Sequence, residues 1–211
     1  MTRAEVCGRI EEGRIVPIVR VPSAQVAIRA AEAILAGGIA ILEITMTVPD
    51  APSVIRSLRE KFGGRVLIGA GTVLDAETVG VCVDAGADFI VSPGFDPGTV
   101  AAARARDVAV MPGALTPTEV IAAWKAGADM VKIFPCSAVG GAKYLRALRG
   151  PLPHVKFMAT GGVNASTAAE YIAAGASALG VGSELVDTEL LASGRDSVIT
   201  ERARALVAAV R

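Results

Sequence analysis

Short apolar runs alternate with amphipathic stretches along all 211 residues of the chain. The apolar runs predict eight strands, at residues 14–20, 39–45, 66–72, 88–92, 108–112, 129–134, 155–160 and 177–182. The amphipathic stretches predict helices at residues 3–12, 24–36, 51–61, 76–85, 97–106, 117–126, 141–149, 165–174 and 195–210. Strands that alternate with helices are typical of a parallel sheet that is covered by helices.

An Ala-Gly pair recurs just before a predicted strand, and glycine at this point is the usual end of a helix. The pairs are Ala36-Gly37, Ala85-Gly86, Ala126-Gly127 and Ala174-Gly175. Each of the three intervals holds two strand–helix units, one unit precedes the first pair and one follows the last, so the chain predicts eight of them. We expect one domain over residues 1–211, an α/β protein with a (β/α)8 TIM barrel and an extra N-terminal helix. An open doubly wound sheet is the alternative.

Composition narrows the classes of function. The formal net charge is zero and no basic tract occurs, so we expect neither nucleic acid nor a membrane as partner. The N-terminus lacks an apolar signal segment, and three cysteines do not form a disulfide framework, so we expect a cytoplasmic protein. His154 is the only histidine, which disfavours a zinc site or a Ser-His-Asp triad.

One lysine stands in an apolar strand, at Val131-Lys132-Ile133. Burial favours the neutral amine, which is the form that attacks a carbonyl group. The position near the C-terminal end of its strand, where TIM barrels carry their active sites, also favours catalysis. The alternative is a lysine that reaches solvent or pairs with a structural acid. Lys156 lies at the start of the next strand, where we expect a structural or solvated residue.

Glu43 is the second charged residue in an apolar strand, and burying a carboxylate is costly unless it is paired. Glu43 and Lys132 both lie on even-numbered strands, which supply the same interior layer of a barrel. The sequence therefore predicts that they meet. They form either a neutralising ion pair or a pair of acid/base and nucleophile, and the two interpretations are compatible.

Glycine-rich segments end three of the predicted strands. Gly69-Ala70-Gly71-Thr72 offers either close approach of a ligand or tight packing in the barrel. Thr160-Gly161-Gly162-Val163 and Gly180-Val181-Gly182-Ser183 end the last two strands, where these barrels commonly bind phosphate. Backbone amides exposed there attract anions.

Several motifs together resemble the 2-keto-3-deoxy-6-phosphogluconate (KDPG) and 4-hydroxy-2-oxoglutarate (KHG) aldolase family. They are Glu43-Ile44-Thr45, Gly69-Ala70-Gly71-Thr72-Val73-Leu74, Ile90-Val91-Ser92-Pro93-Gly94, Met111-Pro112-Gly113-Ala114-Leu115-Thr116-Pro117-Thr118-Glu119, Lys132-Ile133-Phe134-Pro135, Thr160-Gly161-Gly162-Val163 and Gly180-Val181-Gly182-Ser183. The resemblance implies a homotrimeric Schiff-base aldolase that needs no metal or other cofactor. It implies a small keto-acid phosphate as substrate, cleaved to pyruvate and glyceraldehyde 3-phosphate.

The resemblance also implies roles for individual residues. Lys132 resembles the Schiff-base lysine and Glu43 the general acid/base. The substrate-binding set that it implies is a carboxylate contact at Thr72, pocket walls at Pro93 and Phe134, and a phosphate cradle at Gly161, Gly162 and Ser183.

One position departs from the pattern, because Thr47 stands where many members have a carboxylate-binding arginine. We expect Arg20, at the end of the first strand, to replace it. The alternative for Arg20 is an ordinary surface arginine. Two alternatives for the whole chain also stay open: a sister aldolase for 2-keto-3-deoxy-6-phosphogalactonate or 4-hydroxy-2-oxoglutarate, and a non-catalytic trimer that binds phosphosugars.

Overall fold

The computed structural model describes residues 1–211. Its nine strands are β1 (Ile15–Val19), β2 (Ile41–Thr45), β3 (Leu67–Gly71), β4 (Phe89–Val91), β5 (Ala109–Met111), β6 (Gly113–Ala114), β7 (Val131–Ile133), β8 (Phe157–Thr160) and β9 (Ala178–Val181). Its helices are α1 (Arg3–Gly13), α2 (Ala24–Ala36), α3 (Ala51–Phe62), α4 (Ala76–Asp84), α5 (Pro97–Ala105), α6 (Pro117–Lys125), α7 (Ala142–Arg149), α8 (Ala168–Ala173), α9 (Thr188–Ala192) and α10 (Asp196–Ala209). None of these helices combines the length and the apolar character needed to cross a membrane.

The strands pair in parallel in the order β5-β4-β3-β2-β1-β9-β8-β7-β6. β5 lies within the predicted fifth strand, and β6 continues the chain past the predicted end at Pro112, where the pairing is interrupted because proline has no N–H to donate. The amides of Asp129 and Lys132 donate to the carbonyls of Val110 and Pro112, at 3.0 and 2.9 Å, and so join the two ends of the sheet. The chain therefore forms the predicted eight-unit barrel, and the open doubly wound alternative is wrong.

The predicted helix ends agree with the structure to within three residues, and only α9 was not predicted. Ser23 caps α2, since its side chain accepts a hydrogen bond from the amide of Val26. In the first Ala-Gly pair, however, Gly37 has φ −82° and the left-handed residue is Gly38, with φ +93°. Gly37 is needed for another reason, because a Cβ there would lie 2.3 Å from the Cβ of Ala203 on α10.

Helix α1 lies at the N-terminal ends of the strands, opposite the catalytic end of such a barrel. Two ion pairs attach it there, Arg3 with Asp129 at 3.2 Å and Glu11 with Lys156 at 2.5 Å. Lys156 is therefore a partly exposed residue at the N-terminal ends of the strands, as predicted. The extra N-terminal helix is present and closes the end of the barrel that carries no predicted site.

Candidate active site

A cavity of about 570 Å³ opens at the C-terminal ends of the strands. Eight of the nine predicted site residues line it: Arg20, Thr72, Pro93, Lys132, Phe134, Gly161, Gly162 and Ser183. The ninth, Glu43, is fully buried beneath the cavity. The folded chain thus brings together residues from six separate strand ends.

Lys132 and Glu43 meet inside the barrel, as predicted from their strands. Lys132 Nζ lies 3.8 Å from Glu43 Oε1, and the two residues are 6% and 0% exposed. Neither carboxylate oxygen of Glu43 accepts a hydrogen bond. Burial raises the pKa of Glu43 above its ordinary value, and the positive charges of Lys132 and Arg20 oppose this rise.

Gly71 gives Glu43 its room. A Cβ at Gly71 would lie 2.0 Å from Glu43 Oε1, so no larger residue fits beside this carboxylate. Gly69, two residues earlier on the same face of β3, would place a Cβ 2.2 Å from the ring of Phe89. Tight packing in the barrel therefore explains both glycines, and at Gly71 the packed group belongs to the candidate site itself.

Arg20 and Thr72 meet at the rim above this pair. Arg20 Nη2 donates to Thr72 Oγ1 at 3.4 Å. Thr72 has φ +58°, a left-handed conformation that β-branched residues rarely adopt and that costs on the order of 1–3 kcal/mol. Such strain concentrates at ligand sites, and here it leaves the Thr72 hydroxyl beside a guanidinium group that faces the cavity.

Thr47 does not line the cavity. Its hydroxyl lies 2.8 Å from that of Thr45, which donates to the carbonyl of Val19 at 3.2 Å. Val19 is the last residue of β1 and directly precedes Arg20. The two threonines therefore hold the end of the strand that carries the arginine, while Thr47 offers no charge to a ligand.

The walls of the cavity contain the two predicted residues Pro93 and Phe134. Lys132 Nζ lies 5.5 Å from the centre of the Phe134 ring, within the range of a cation–π contact. A Cβ at Gly113 would lie 2.0 Å from the carbonyl oxygen of Pro93, so β6 and the loop after β4 are in close contact. This contact holds Pro93 against the strand next to Lys132.

The glycine-rich end of the cavity presents backbone amides. Gly161 and Gly162 have φ +102° and +72°. The amides of Gly162 and Ser183 donate no hydrogen bond within the chain. The carbonyl of Gly182 accepts from Leu185 and Val186, which turns the chain after β9 so that the Ser183 amide is left free.

Sequence reasoning missed two features of the cavity. Thr160 is 3% exposed and its hydroxyl has no hydrogen-bond partner. Its position just before the Gly-Gly pair was the available signal. Three acidic residues, Glu184, Asp187 and Glu189, also line the mouth. They follow β9 in an irregular segment and a five-residue helix, whose short pattern predicts no element.

The carboxylate of Asp187 already has partners within the protein. It accepts hydrogen bonds from the amides of Glu189 and Leu190, and the bond from Leu190 contributes most to holding its pKa below the usual value. Arg202 also lies 3.5 Å from it. Asp187 therefore caps α9. The glycine-rich end of the cavity has free amides but no basic side chain among its lining residues.

The arrangement suits carbonyl chemistry. A buried amine can add to a ketone, and a buried carboxyl group of raised pKa can give and take protons beside it. The rim offers a cation and a hydroxyl for an acidic group, and the far end offers free amides for an anion. No group of three or more His, Cys, Asp or Glu side chains is arranged to hold a metal ion.

Comparison with known proteins agrees with this geometry. The family model for KDPG and KHG aldolase matches residues 6–201. The 2-dehydro-3-deoxy-phosphogluconate aldolase of Treponema pallidum is 36% identical over 90% of both chains. The KHG/KDPG aldolase of Escherichia coli K12 is 33% identical over 92% of this chain and 91% of its own.

Solved structures show the same likeness. A Legionella pneumophila KDPG aldolase, with pyruvate captured as a covalent carbinolamine, superposes with a TM-score of 0.88 at 32% identity. The match covers 95% of this chain and 97% of that one. A structure described as native KDPGal has a TM-score of 0.83 at 31% identity, over 92% and 93% of the two chains. The family match and these relatives confirm the resemblance seen in the motifs, and the chain belongs to the KDPG and KHG aldolase family.

Proposed function

We propose that this protein is a Schiff-base aldolase that cleaves KDPG to pyruvate and glyceraldehyde 3-phosphate. The observation that carries the proposal is the buried pair of Lys132 and Glu43, 3.8 Å apart beneath a cavity with free amides at its far end. Burying a lysine beside a glutamate whose carboxylate accepts no hydrogen bond costs folding free energy, so stability alone does not explain the pair. The pair is suited to a reaction that needs an amine and a proton carrier in contact.

The first half of the reaction joins the substrate to the enzyme. The neutral amine of Lys132 adds to the C2 ketone and forms a carbinolamine. Glu43, directly or through a water molecule, moves the amine proton to the oxygen and then supplies the second proton, so that water leaves and an iminium remains. The iminium carries a positive charge at C2 and withdraws electrons from the neighbouring carbons.

The second half breaks the carbon chain. Glu43, now ionised, accepts the proton of the C4 hydroxyl, and the C3–C4 bonding electrons move toward the iminium. The C4 oxygen becomes the aldehyde of glyceraldehyde 3-phosphate, and an enamine of pyruvate stays on Lys132. Protonation of the enamine at C3 restores the iminium, and addition of water releases pyruvate and the free amine.

The two ends of the substrate find matching groups. We place the carboxylate against Arg20 and the hydroxyl of Thr72, which contact each other at the rim. We place the phosphate against the free amides near Gly161, Gly162 and Ser183, so that backbone dipoles hold it. Pro93 and Phe134 form the walls between them, and the unpartnered hydroxyl of Thr160 is available to a polar group of the substrate.

The test is release of pyruvate, measured with a coupled dehydrogenase assay on KDPG, 2-keto-3-deoxy-6-phosphogalactonate and 4-hydroxy-2-oxoglutarate. We expect the highest kcat/KM with KDPG. The same residues suit the two sister substrates, and the E. coli relative carries both KHG and KDPG in its name. A higher kcat/KM with either sister substrate would replace the proposed one.

A non-catalytic protein that binds phosphosugars is the candidate from another class. It would bind KDPG without releasing pyruvate.

We also propose that the protein is a homotrimer, as the family resemblance implies, and sedimentation equilibrium tests this. One protein with the same fold occurs in a cage designed by fusing symmetric oligomeric domains. A cytoplasmic location is proposed as well, and the three unpaired cysteines favour it.

A further inference from the structure

Two hydroxyl groups hold two successive peptide groups after β8. The hydroxyl of Tyr171, on α8, donates to the carbonyl of Gly161 at 3.2 Å. The hydroxyl of Thr167 donates to the carbonyl of Gly162 at 2.9 Å. Tyr171 is 4% exposed and does not line the cavity, so both carbonyls are drawn toward the α8 side of the loop.

The planarity of the peptide bond sets the direction of the next two amides. In a trans peptide the C=O of one residue and the N–H of the next point in opposite directions. Fixing the Gly161 carbonyl toward Tyr171 therefore turns the Gly162 amide away from α8. Fixing the Gly162 carbonyl toward Thr167 does the same for the amide of Val163.

These two amides have no hydrogen-bond partner in the chain, and their residues border the candidate site. Neither the Gly162 nor the Val163 amide donates a hydrogen bond within the chain. Gly161, Gly162 and Val163 all line the cavity. Successive free amides in a loop of positive φ form a concave anion-binding nest, and Gly161 and Gly162 supply that backbone conformation.

We propose that Tyr171 and Thr167 are positioning residues, whose hydroxyls orient the amides of Gly162 and Val163 toward the phosphate of the substrate. The proposal rests on the proposed function, which places the phosphate at this end of the cavity. It adds the Val163 amide to the cradle and assigns a role to two side chains that do not touch the substrate. With no basic side chain among the cavity's lining residues at this end, orientation of the amides has to supply the binding.

The test compares two aldehydes in condensation with pyruvate, glyceraldehyde 3-phosphate and unphosphorylated glyceraldehyde. Tyr171→Phe removes only the hydroxyl. We expect kcat/KM for the phosphorylated aldehyde to fall about three- to tenfold, the usual effect of one lost hydrogen bond. The loss should be mainly in KM, because the reacting end is unchanged. The value for glyceraldehyde should stay constant, and the inhibition constant of inorganic phosphate should rise by the same factor.

Thr167 gives a second and independent variant. Thr167→Val keeps the shape and loses the hydroxyl, so it should lower the same ratio of kcat/KM values. Thr167→Ser restores a hydroxyl and should recover most of the preference. This pair keeps the proposal testable if Tyr171→Phe fails to fold.

Tyr144→Phe is the matched control. Tyr144 also donates its hydroxyl to a backbone carbonyl, that of Leu115, but it lies on α7 and does not line the cavity. Its loss should leave the ratio of the two aldehydes unchanged. A purely structural role for Tyr171 and Thr167 predicts equal losses with both aldehydes, or a lower melting temperature alone, and either result would overturn the proposal.

The same measurements distinguish a failure of the proposed function from a failure of the nest. If the wild-type protein itself showed no preference for the phosphorylated aldehyde, the phosphate would not bind at this end, and both the substrate and the nest would be rejected. If the wild-type preference is strong and the hydroxyl variants keep it, the nest alone is rejected and the KDPG aldolase proposal stands.

Discussion

The Nζ atom of Lys132 lies 3.8 Å from Oε1 of Glu43, and the carboxylate has no hydrogen-bond partner to offset its burial. A buried ion pair of this kind contributes little to stability, because desolvation offsets the attraction of the charges. The glycine at position 71 further shows that the barrel leaves space for this carboxylate. Chemistry at the pair therefore explains the arrangement better than stability does.

Lys132 should carry the adduct with pyruvate. Reduction with borohydride in the presence of pyruvate should add one pyruvyl mass to the peptide that holds Lys132, since this amine is buried at the base of the cavity. Lys132→Met should abolish the label. Lys156→Met is the matched control, because Lys156 pairs with Glu11 at the opposite face of the barrel. A label on Lys156, or no label, would contradict the assignment.

Glu43→Gln should fold and lose roughly 10²- to 10⁴-fold in kcat, the range typical of general acid/base groups. The amide fills the same space beside Gly71 but cannot transfer the protons. Trapping of pyruvate on Lys132 should survive in part, because the amine that forms the adduct is unchanged. Turnover within a few-fold of wild type would show that another group moves the protons.

The raised pKa of Glu43 has a consequence for stability. Below its ordinary value of 4.5 the residue is protonated in the folded and the unfolded chain alike. As the pH rises from there toward the folded pKa, the unfolded chain ionises while the folded chain keeps its proton. Since the folded state then binds more protons, the free energy of unfolding falls with pH and levels off above the folded pKa.

Chemical denaturation across the pH range measures this effect. The free energy of unfolding of wild type, relative to Glu43→Gln, should decrease from about pH 4.5 upward, by at most about 1.4 kcal/mol per pH unit. Groups that do not interact with Glu43 titrate alike in both proteins and cancel in the difference. A relative stability that rose with pH would mean that the folded pKa is lowered, contrary to the effect of burial.

Much of this site could be predicted from the sequence, because a charged residue inside an apolar strand is conspicuous. Lys132 and Glu43 stand out for that reason, and the barrel rule places both in one layer. Strand ends were less certain, because the pattern does not show which backbone groups pair. The predicted fifth strand, for example, ended at Pro112 and missed β6, which lies directly after this proline.

Hydrogen bonds from side chains to the backbone of other elements could not be predicted. Tyr171 reaches Gly161 across ten residues and a loop, and its sequence gives no sign that the hydroxyl is buried on that carbonyl. Likewise Thr45 holds Val19, 26 residues earlier, through one hydroxyl. Such hydrogen bonds depend on the packed geometry of neighbouring elements, which hydrophobic periodicity does not encode.

Arg20→Gln should weaken binding of the keto-acid carboxylate, with a rise in KM for pyruvate of roughly 10-fold or more, the scale of a lost charged hydrogen bond. It should also move the acid limb of the pH profile upward, because Arg20 opposes the rise in the pKa of Glu43. Arg204→Gln changes an exposed arginine outside the cavity and serves as the control. An unchanged KM for pyruvate in Arg20→Gln would make Arg20 an ordinary surface residue.

The phosphate end can be tested by placing a negative charge in it. Gly162→Asp is a poor choice, because its Cβ would lie 2.5 Å from Ser137 and φ is +72°, so the loop itself would change. Ser183→Asp adds the charge on an exposed side chain beside a free amide. We expect kcat/KM for KDPG to fall by at least roughly 10-fold from repulsion of the phosphate, while pyruvate trapping on Lys132 persists. Ser183→Ala should lose far less, since only one hydroxyl is removed. Equal losses for KDPG and for unphosphorylated 4-hydroxy-2-oxoglutarate would place the phosphate elsewhere.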